Sequence, residues 1–517
     1  MLLRKLGSIL CIIITITVLS AQAVAATETT LPPLPTVWDV GVCEEQSYEE
    51  LIFLTGEPVA VTGTVTIRQG RARNNKMDTT YSYRLENREN EVKLTRQLTI
   101  TTTWQEQGKE ITATNEVSRI RETVSVGRRR FALDDKRSLL NASTVTLQEP
   151  AVSYFAGNLE GRKVYTINRN EGEAVVEIKS DSTGYQQPWG TVEIQDVYGS
   201  INYEQITTER NRNPGEGNEN ITNKRAWNGT FTCQISHTVK TDLQYVENEP
   251  TQISFRGGFL KTATKEGILR ARYDLPRLDA DGEPLGSRRN RGEQTINLTG
   301  TPQTERLPVP QYSDVRGRWS ENDAILLGSL GAWGTEDRYF HPTAAVNRRE
   351  FALALAHTLR MEPEQQASTG SSRRQNQPPA TSPYRDISAQ DADWPYLKMI
   401  SERGIMQGIA PGYFGSQGKI TRAQAVTAFI RALGFENLGP GTSYHTGFAD
   451  DSDIPLWARN NFAVARQIGL ISGDTFGRAR PGAYLTREEA ASMLARLTTY
   501  LRTEILRDYR DRIFLYQ

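Results

Sequence analysis

Ile420-Thr421-Arg422-Ala423-Gln424, followed by Ala425, Val426, Phe429, Ile430 and Leu433, is the stretch on which the reading of this chain turns. Thr421 and Gln424 have the spacing of a capping box, in which a hydroxyl takes the third helical amide and the Gln side chain reaches back to the cap's own N–H. The apolar residues behind it fall at i, i+1, i+4, i+5 and i+8, one stripe of an amphipathic helix. The spacing therefore predicts a helix that starts at Arg422. That arginine stands beside backbone N–H groups with no intrahelical partner and at the positive end of the helix dipole. Such a position favours an anion.

The pattern occurs three times. Asn347-Arg348-Arg349-Glu350 and Thr486-Arg487-Glu488-Glu489 repeat it, each with an apolar helix behind. Gly334, Gly408 and Gly473 each precede their arginine by 14 positions (348−334, 422−408, 487−473). At equal offsets between them lie Phe340-His341-Pro342, Phe414-Gly415-Ser416 and Ala479-Arg480-Pro481. Upstream, each copy has a second glycine (Gly331, Gly404, Gly469), a tryptophan (Trp319, Trp394, Trp457) and an aromatic-x-Asp opening that ends at Asp314, Asp386 and Asp450.

This triple pattern resembles the S-layer homology repeats of bacterial surface proteins. Thr421-Arg422-Ala423-Gln424 is closest to their signature, Thr486-Arg487-Glu488-Glu489 is next, and the first copy departs most, with Asn347 for the hydroxyl and Arg349 for a small residue. The resemblance covers roughly residues 311–500. It implies an all-α module of pseudo-threefold arrangement that holds anionic, often pyruvylated, cell-wall polysaccharide between adjacent repeats. Carried over position by position, the glycan-binding candidates are Arg348, Arg422 and Arg487, Asp314, Asp386 and Asp450, Trp319, Trp394 and Trp457, and Gly334, Gly408 and Gly473. A guanidinium matches a carboxylate bidentately, whereas a module built only for folding would more naturally place Asp or Glu in that first turn. The aspartates can instead cap the helices that follow, and the tryptophans can equally be core.

The expected organisation is a signal peptide at 1–25, a β-rich ectodomain at 26–310, a first repeat at 311–361, a flexible linker at 362–383, a second repeat at 384–436, a third at 447–500 and a helical extension at 501–517. Arg4 and Lys5 before the apolar run Ile9–Leu19, with small residues at Ala21–Ala25, have the form of a secretory signal. The run is too short and polar-ended for a membrane anchor. Gln294–Pro310 looks like the connection between the halves. Residues 362–383, rich in Gln, Ser, Arg and Pro, read as a flexible linker.

The 61 basic and 61 acidic residues balance to zero net charge, which argues against a bulk nucleic-acid binder. Cys43 and Cys233 survive removal of the signal; in an exported chain they permit one disulfide, with buried thiols as the alternative. The region from Val37 to Pro310 is an all-β pattern of short strands, sandwich-like or irregular, with a long hairpin about Gln105–Lys109. It holds one histidine, His237, and neither Cys-x-x-Cys nor paired-histidine spacing, so no metal or cofactor site is expected. Asp279-Ala280-Asp281-Gly282-Glu283 reads as a turn that lacks the later ligands of a calcium loop. Arg128–Arg130 and Arg288–Arg291 read as solvated charge in turns.

Three functions remain open. The repeats tether a structural or adhesive β-rich ectodomain to the wall polysaccharide, with self-association into a surface layer. Alternatively, the same tether carries a carbohydrate-active enzyme whose carboxylates the sequence does not locate. A porin with such repeats is the lesser alternative. The expected reading is the first: not an enzyme, secreted to the cell wall, with no nucleic-acid partner and no membrane contact after cleavage.

Overall fold

Alternation decides the larger half. Along Val92–Gln107, Val92, Leu94, Leu98, Ile100 and Trp104 are buried, while Lys93, Thr95, Gln97 and Thr103 face outward. A period of two with one apolar face makes a strand with one side on a core. The computed structural model describes residues 41–44, 47–210, 220–247, 257–279, 283–361, 381–441 and 444–504; the signal peptide and almost all of the 362–383 linker lie outside them. Within these bounds the strands are β1 (Gly41–Glu44), β2 (Ser47–Ile52), β3 (Val59–Gln69), β4 (Lys76–Asn87), β5 (Val92–Gln107), β6 (Glu110–Val126), β7 (Arg129–Leu133), β8 (Leu139–Gln148), β9 (Ser153–Ile167), β10 (Gly172–Gln187), β11 (Gly190–Arg210), β12 (Asn220–Val246), β13 (Gly258–Leu278), β14 (Pro284–Thr299) and β15 (Gln303–Arg306).

All of them join one antiparallel sheet in near-sequential order, with β8 bridging β6 and β9 and β15 added to β13. The expected hairpin is present: Gln107 pairs Glu110 across a turn in which Gly108 has φ +64°. The expected short strands are not. β11 and β13 run for 21 residues and β12 for 27. Gly199 sits inside β11 opposite an aromatic ring. A Cβ on Gly199 would stand 2.0 Å from Phe231, its cross-strand partner, so the missing side chain lets the ring lie over the backbone and the sheet bend. Gln294–Thr299, read as part of the connection, is likewise strand, paired with Ala271–Glu266. Arg288–Arg291, read as a turn, lies in β14, where Arg289 and Arg291 both hold Asp274.

The strands form one continuous sheet that closes on a common interior. Phe53, just past β2, stacks on Phe231 of β12 at 4.4 Å, and a single apolar cluster runs from Tyr48 to Ile296. On β5 the outward residues Lys93, Thr95, Gln97 and Thr103 are polar, unlike the apolar band that a membrane barrel turns to lipid. Cys233 is buried in this core, and Cys43 lies in β1 with its side chain outside the described residues, as does the question of their pairing.

Among the apolar side chains lies a buried ionic group. Arg96 donates through Nη1 and Nη2 to Glu50 (2.8 and 2.7 Å) and through Nε to Glu122 (2.7 Å), which also accepts from Lys163 (3.2 Å) and Tyr165 (2.8 Å). Burial works against the charge on Glu122, but Arg96 and Lys163 outweigh it and hold the carboxyl well below its usual range. A carboxyl with a depressed folded pKa gives stability that is fully present above its unfolded value and lost as pH falls toward the folded one. Stability is therefore expected to hold from neutral pH to about pH 5 and to decline below about pH 4. Denaturant melts across pH check this, and Glu122→Gln should flatten the acid limb.

The helical half comprises α1 (Glu321–Ser329), α2 (Arg348–Thr358), α3 (Trp394–Glu402), α4 (Arg422–Leu433), α5 (Leu456–Gln467) and α6 (Arg487–Thr499). All five residues of the expected stripe on α4 are buried, and Gly434 ends the helix at φ +74°. Beyond α6, Tyr500–Glu504 form a π turn, and the rest of the expected terminal helix lies outside the described residues.

The two halves share a core. Ala151, Val152, Tyr154, Tyr185, Trp189 and Val192 of the β half pack into the apolar cluster of the helices. The carbonyls that helix ends leave without partners are met from the same side: Trp189 Nε1 donates to Thr358 at the end of α2 (3.2 Å), Ala151 N to Ala432 of α4 (2.8 Å) and Gln187 Nε2 to Leu501 past α6 (2.9 Å). The β half therefore seats on the C-terminal ends of the three capped helices rather than hanging from them.

Candidate functional site

At the opposite, N-terminal ends, each of the three capping boxes is complete: Asn347 with Glu350, Thr421 with Gln424, and Thr486 with Glu489. The residues just before the caps close a ring of hydrogen bonds. Val346 N donates to Leu485 O (2.9 Å), Leu485 N to Ile420 O (3.1 Å) and Ile420 N to Val346 O (3.0 Å). The first two amides of each helix donate to the loop of the next copy. Arg348 and Arg349 N reach Gly418 and Ser416 O, Arg422 and Ala423 N reach Ala483 and Pro481 O, and Arg487 and Glu488 N reach Ala344 and Pro342 O. The expectation that these amides wait for an anion is therefore corrected. Any anion held here meets the guanidinium, not the helix backbone.

The three arginines differ in what they touch. Arg348 is buried, with Nε on Phe414 O (3.1 Å) and Nη2 on Gln407 O (2.7 Å). Arg487 donates to Phe340 O (2.9 Å) and to the Glu350 carboxylate (2.7 Å). Both staple one copy to its neighbour. Arg422 is half-buried, and its one polar contact among the described residues is Met493 Sδ at 3.9 Å. Burial lowers its pKa, opposed by Glu489, while Arg496 and Arg480 add like charge.

A second difference lies one residue on. Arg349 binds Asp391 (2.9 Å) and Asp393 (3.0 Å), and Glu488 binds Arg318 (3.0 Å) and Ser320 (3.2 Å), so two of the three junctions carry an ion-pair latch. At the third junction the equivalent residue is Ala423, which has only a methyl group. Tyr484 stands beside it, exposed and bridged to Thr421, with Lys419 Nζ 5.6 Å from its ring. The junction of α4 with the third copy is therefore the open one. The varying residue after each arginine was the signal for this in the sequence.

The other candidates divide. Asp314 accepts from Phe340 and His341 N, Asp386 from Phe414 and Ser416 N, and Asp450 from Ala479 and Arg480 N, all at 2.6–2.8 Å. Each aspartate thus holds the loop of its own copy. For Asp314 and Asp386, burial is outweighed by these amides and the pKa falls. Trp394 is buried in the core, whereas Trp319 and Trp457 are 64% and 57% exposed and free to stack on a ring. A Cβ on Gly334, Gly408 or Gly473 would come within 2.5–2.7 Å of its own loop, so these glycines fit the loop closures. In the β half, His237 sits mid-strand opposite Glu193 and Gly267, its pKa lowered by burial and by Lys265. Thr421→Ala should cost about 1 kcal/mol of stability through the lost cap, read by denaturant melting, and should affect binding only as the helix start loosens.

Residues 383–426, from the α2–α3 connection into α4, match the model of the S-layer homology domain. The chain is 29% identical over 134 residues to an endoglucanase of Bacillus sp. (strain KSM-635), covering 25% of this chain and 14% of that one. It is 26% identical over 213 residues to exoglucanase XynX of Acetivibrio thermocellus (39% and 18%), and 24% over 198 residues to the surface-layer 125 kDa protein of Lysinibacillus sphaericus (38% and 15%). It thus spans under a fifth of the length of each of these relatives. With the domain match lying on α3 and the start of α4, and surface-layer proteins among its relatives, the chain is an S-layer homology domain-containing protein of the bacterial cell surface.

Proposed function

We propose that the three helix pairs are three S-layer homology repeats which hold an anionic secondary wall polysaccharide, and that the junction at Arg422 is its principal seat. The observation that carries this is the contrast among three equivalent arginines: two are occupied by carbonyls or a carboxylate of the protein, and Arg422 is not. A half-buried guanidinium that hydrogen-bonds no carboxylate among the described residues, and feels Glu489 and Asp474 only at a distance, is suited to a carboxylate from a ligand. Tyr484 and Lys419 beside it offer a ring face and a second charge. The β half is then a displayed structural or adhesive part rather than an enzyme. Relatives named for quite different activities share only a minor part of their length with this chain, as expected for a common means of attachment.

Pelleting the full chain with purified walls, before and after acid extraction of their anionic polymer, tests the reading. Co-sedimentation with intact walls only is expected. Equal pelleting with extracted walls would remove the polymer from the account.

A further inference from the structure

On the outer face of β10, β11 and β12, away from the helical half's arginines, lies a cavity of about 400 Å³. Its floor is two cross-strand rows in register, Glu173–Glu204–Ala226 and Val175–Asn202–Asn228. Two glutamates directly opposite each other repel, and each is neutralised by a cation: Arg137 holds Glu173 through both oxygens (2.5 and 3.1 Å), and Lys224 holds Glu204 (2.6 Å). On the far side Arg289, paired with Asp274, donates to Asn228 O (2.9 Å). The short side chains of Ala226 and Val175 leave the hollow. Beneath it Tyr203 and Trp227 stack at 4.9 Å in the core and make the floor rigid.

The chemistry of the lining selects a ligand. Among the described residues the Asn202 side chain makes no hydrogen bond, so its amide offers both donors and acceptor. The rim charges are already paired, which leaves no net charge to attract an ion but many groups for hydroxyls. Tyr198, 56% exposed, is on the same face of β11, four residues from Asn202 and so about 13 Å along the strand. An amide floor with an aromatic platform at that distance fits a linear sugar chain of about two to three rings, and the volume lies in the range of small-molecule sites.

We infer that this face of the β half binds an uncharged, extended β-linked oligosaccharide, with Asn202 and Asn228 contacting its hydroxyls and Tyr198 stacking on a ring. The β half would then grip a neutral glycan while the helical half holds an acidic one. This inference does not depend on the wall-binding proposal.

The test uses the full chain carrying Arg422→Ala, so that the helical site is weakened, titrated calorimetrically with cellotetraose and with chitotetraose. Saturable binding of at least one is expected. Asn202→Ala with Asn228→Ala should weaken it tenfold or more, and Tyr198→Ala should weaken the tetrasaccharide more than cellobiose or chitobiose titrated alongside, with melting temperatures unchanged. Absence of binding by both sugars at millimolar concentration overturns the inference, and so does binding that the asparagine and tyrosine changes leave intact.

Discussion

Replacing Trp189 with alanine is expected to destabilise the whole chain by about 3–5 kcal/mol, the range for removal of a large buried aromatic. The indole is 1% exposed, its N–H donates to the last carbonyl of α2, and the Arg360 guanidinium lies 5.4 Å from the ring centre. It sits in the turn between β10 and β11 yet packs in the core of the helices. A simple tether would leave the two halves melting separately and would make this residue a local matter. The shared core instead expects one transition, seen together by far-ultraviolet strand and helix signals, with both shifted by Trp189→Ala. Trp189→Phe, which keeps a ring but loses the hydrogen bond, should cost less. Two independent transitions in the parent chain, or a loss below about 1 kcal/mol in the alanine variant, would contradict the shared core.

The second large effect concerns affinity. Arg422→Ala should weaken wall binding by about one to two decades, since a charge-assisted bond is worth about 1.5–3 kcal/mol. Stability should change by about half a kcal/mol or less, because the side chain holds no carbonyl or carboxylate of the protein. Lysine at 422 should restore part of the affinity, keeping the charge without the planar fork. Arg348→Ala should show the opposite profile. It leaves Phe414 O and Gln407 O without their donor, at a cost of about 1.5–3 kcal/mol in stability.

The helix starts were legible because a capping box is local: two residues within a stretch of four decide it, and tertiary packing only adds to it. The stripe from Ala425 to Leu433 was legible for the same reason. What the arginines do was not, because their partners lie about 60 to 150 residues away, as Phe414 does from Arg348 and Phe340 from Arg487. The β half was legible as strands but not in their length or roll. The place of Gly199 inside a long strand follows only once Phe231 is known to lie across it. The seat of the β half on the helix ends had no local signal either, since Trp189 belongs by sequence to a hairpin turn and by packing to the helices.

The account rests most directly on parallel measurement of wall affinity and melting temperature for Arg422→Ala, Arg348→Ala and the parent chain. The expected result is that Arg422→Ala melts like the parent and binds ten- to a hundredfold more weakly, while Arg348→Ala melts earlier and its folded fraction binds as the parent does. Parent-like binding by Arg422→Ala, or a loss of affinity confined to Arg348→Ala, would contradict it.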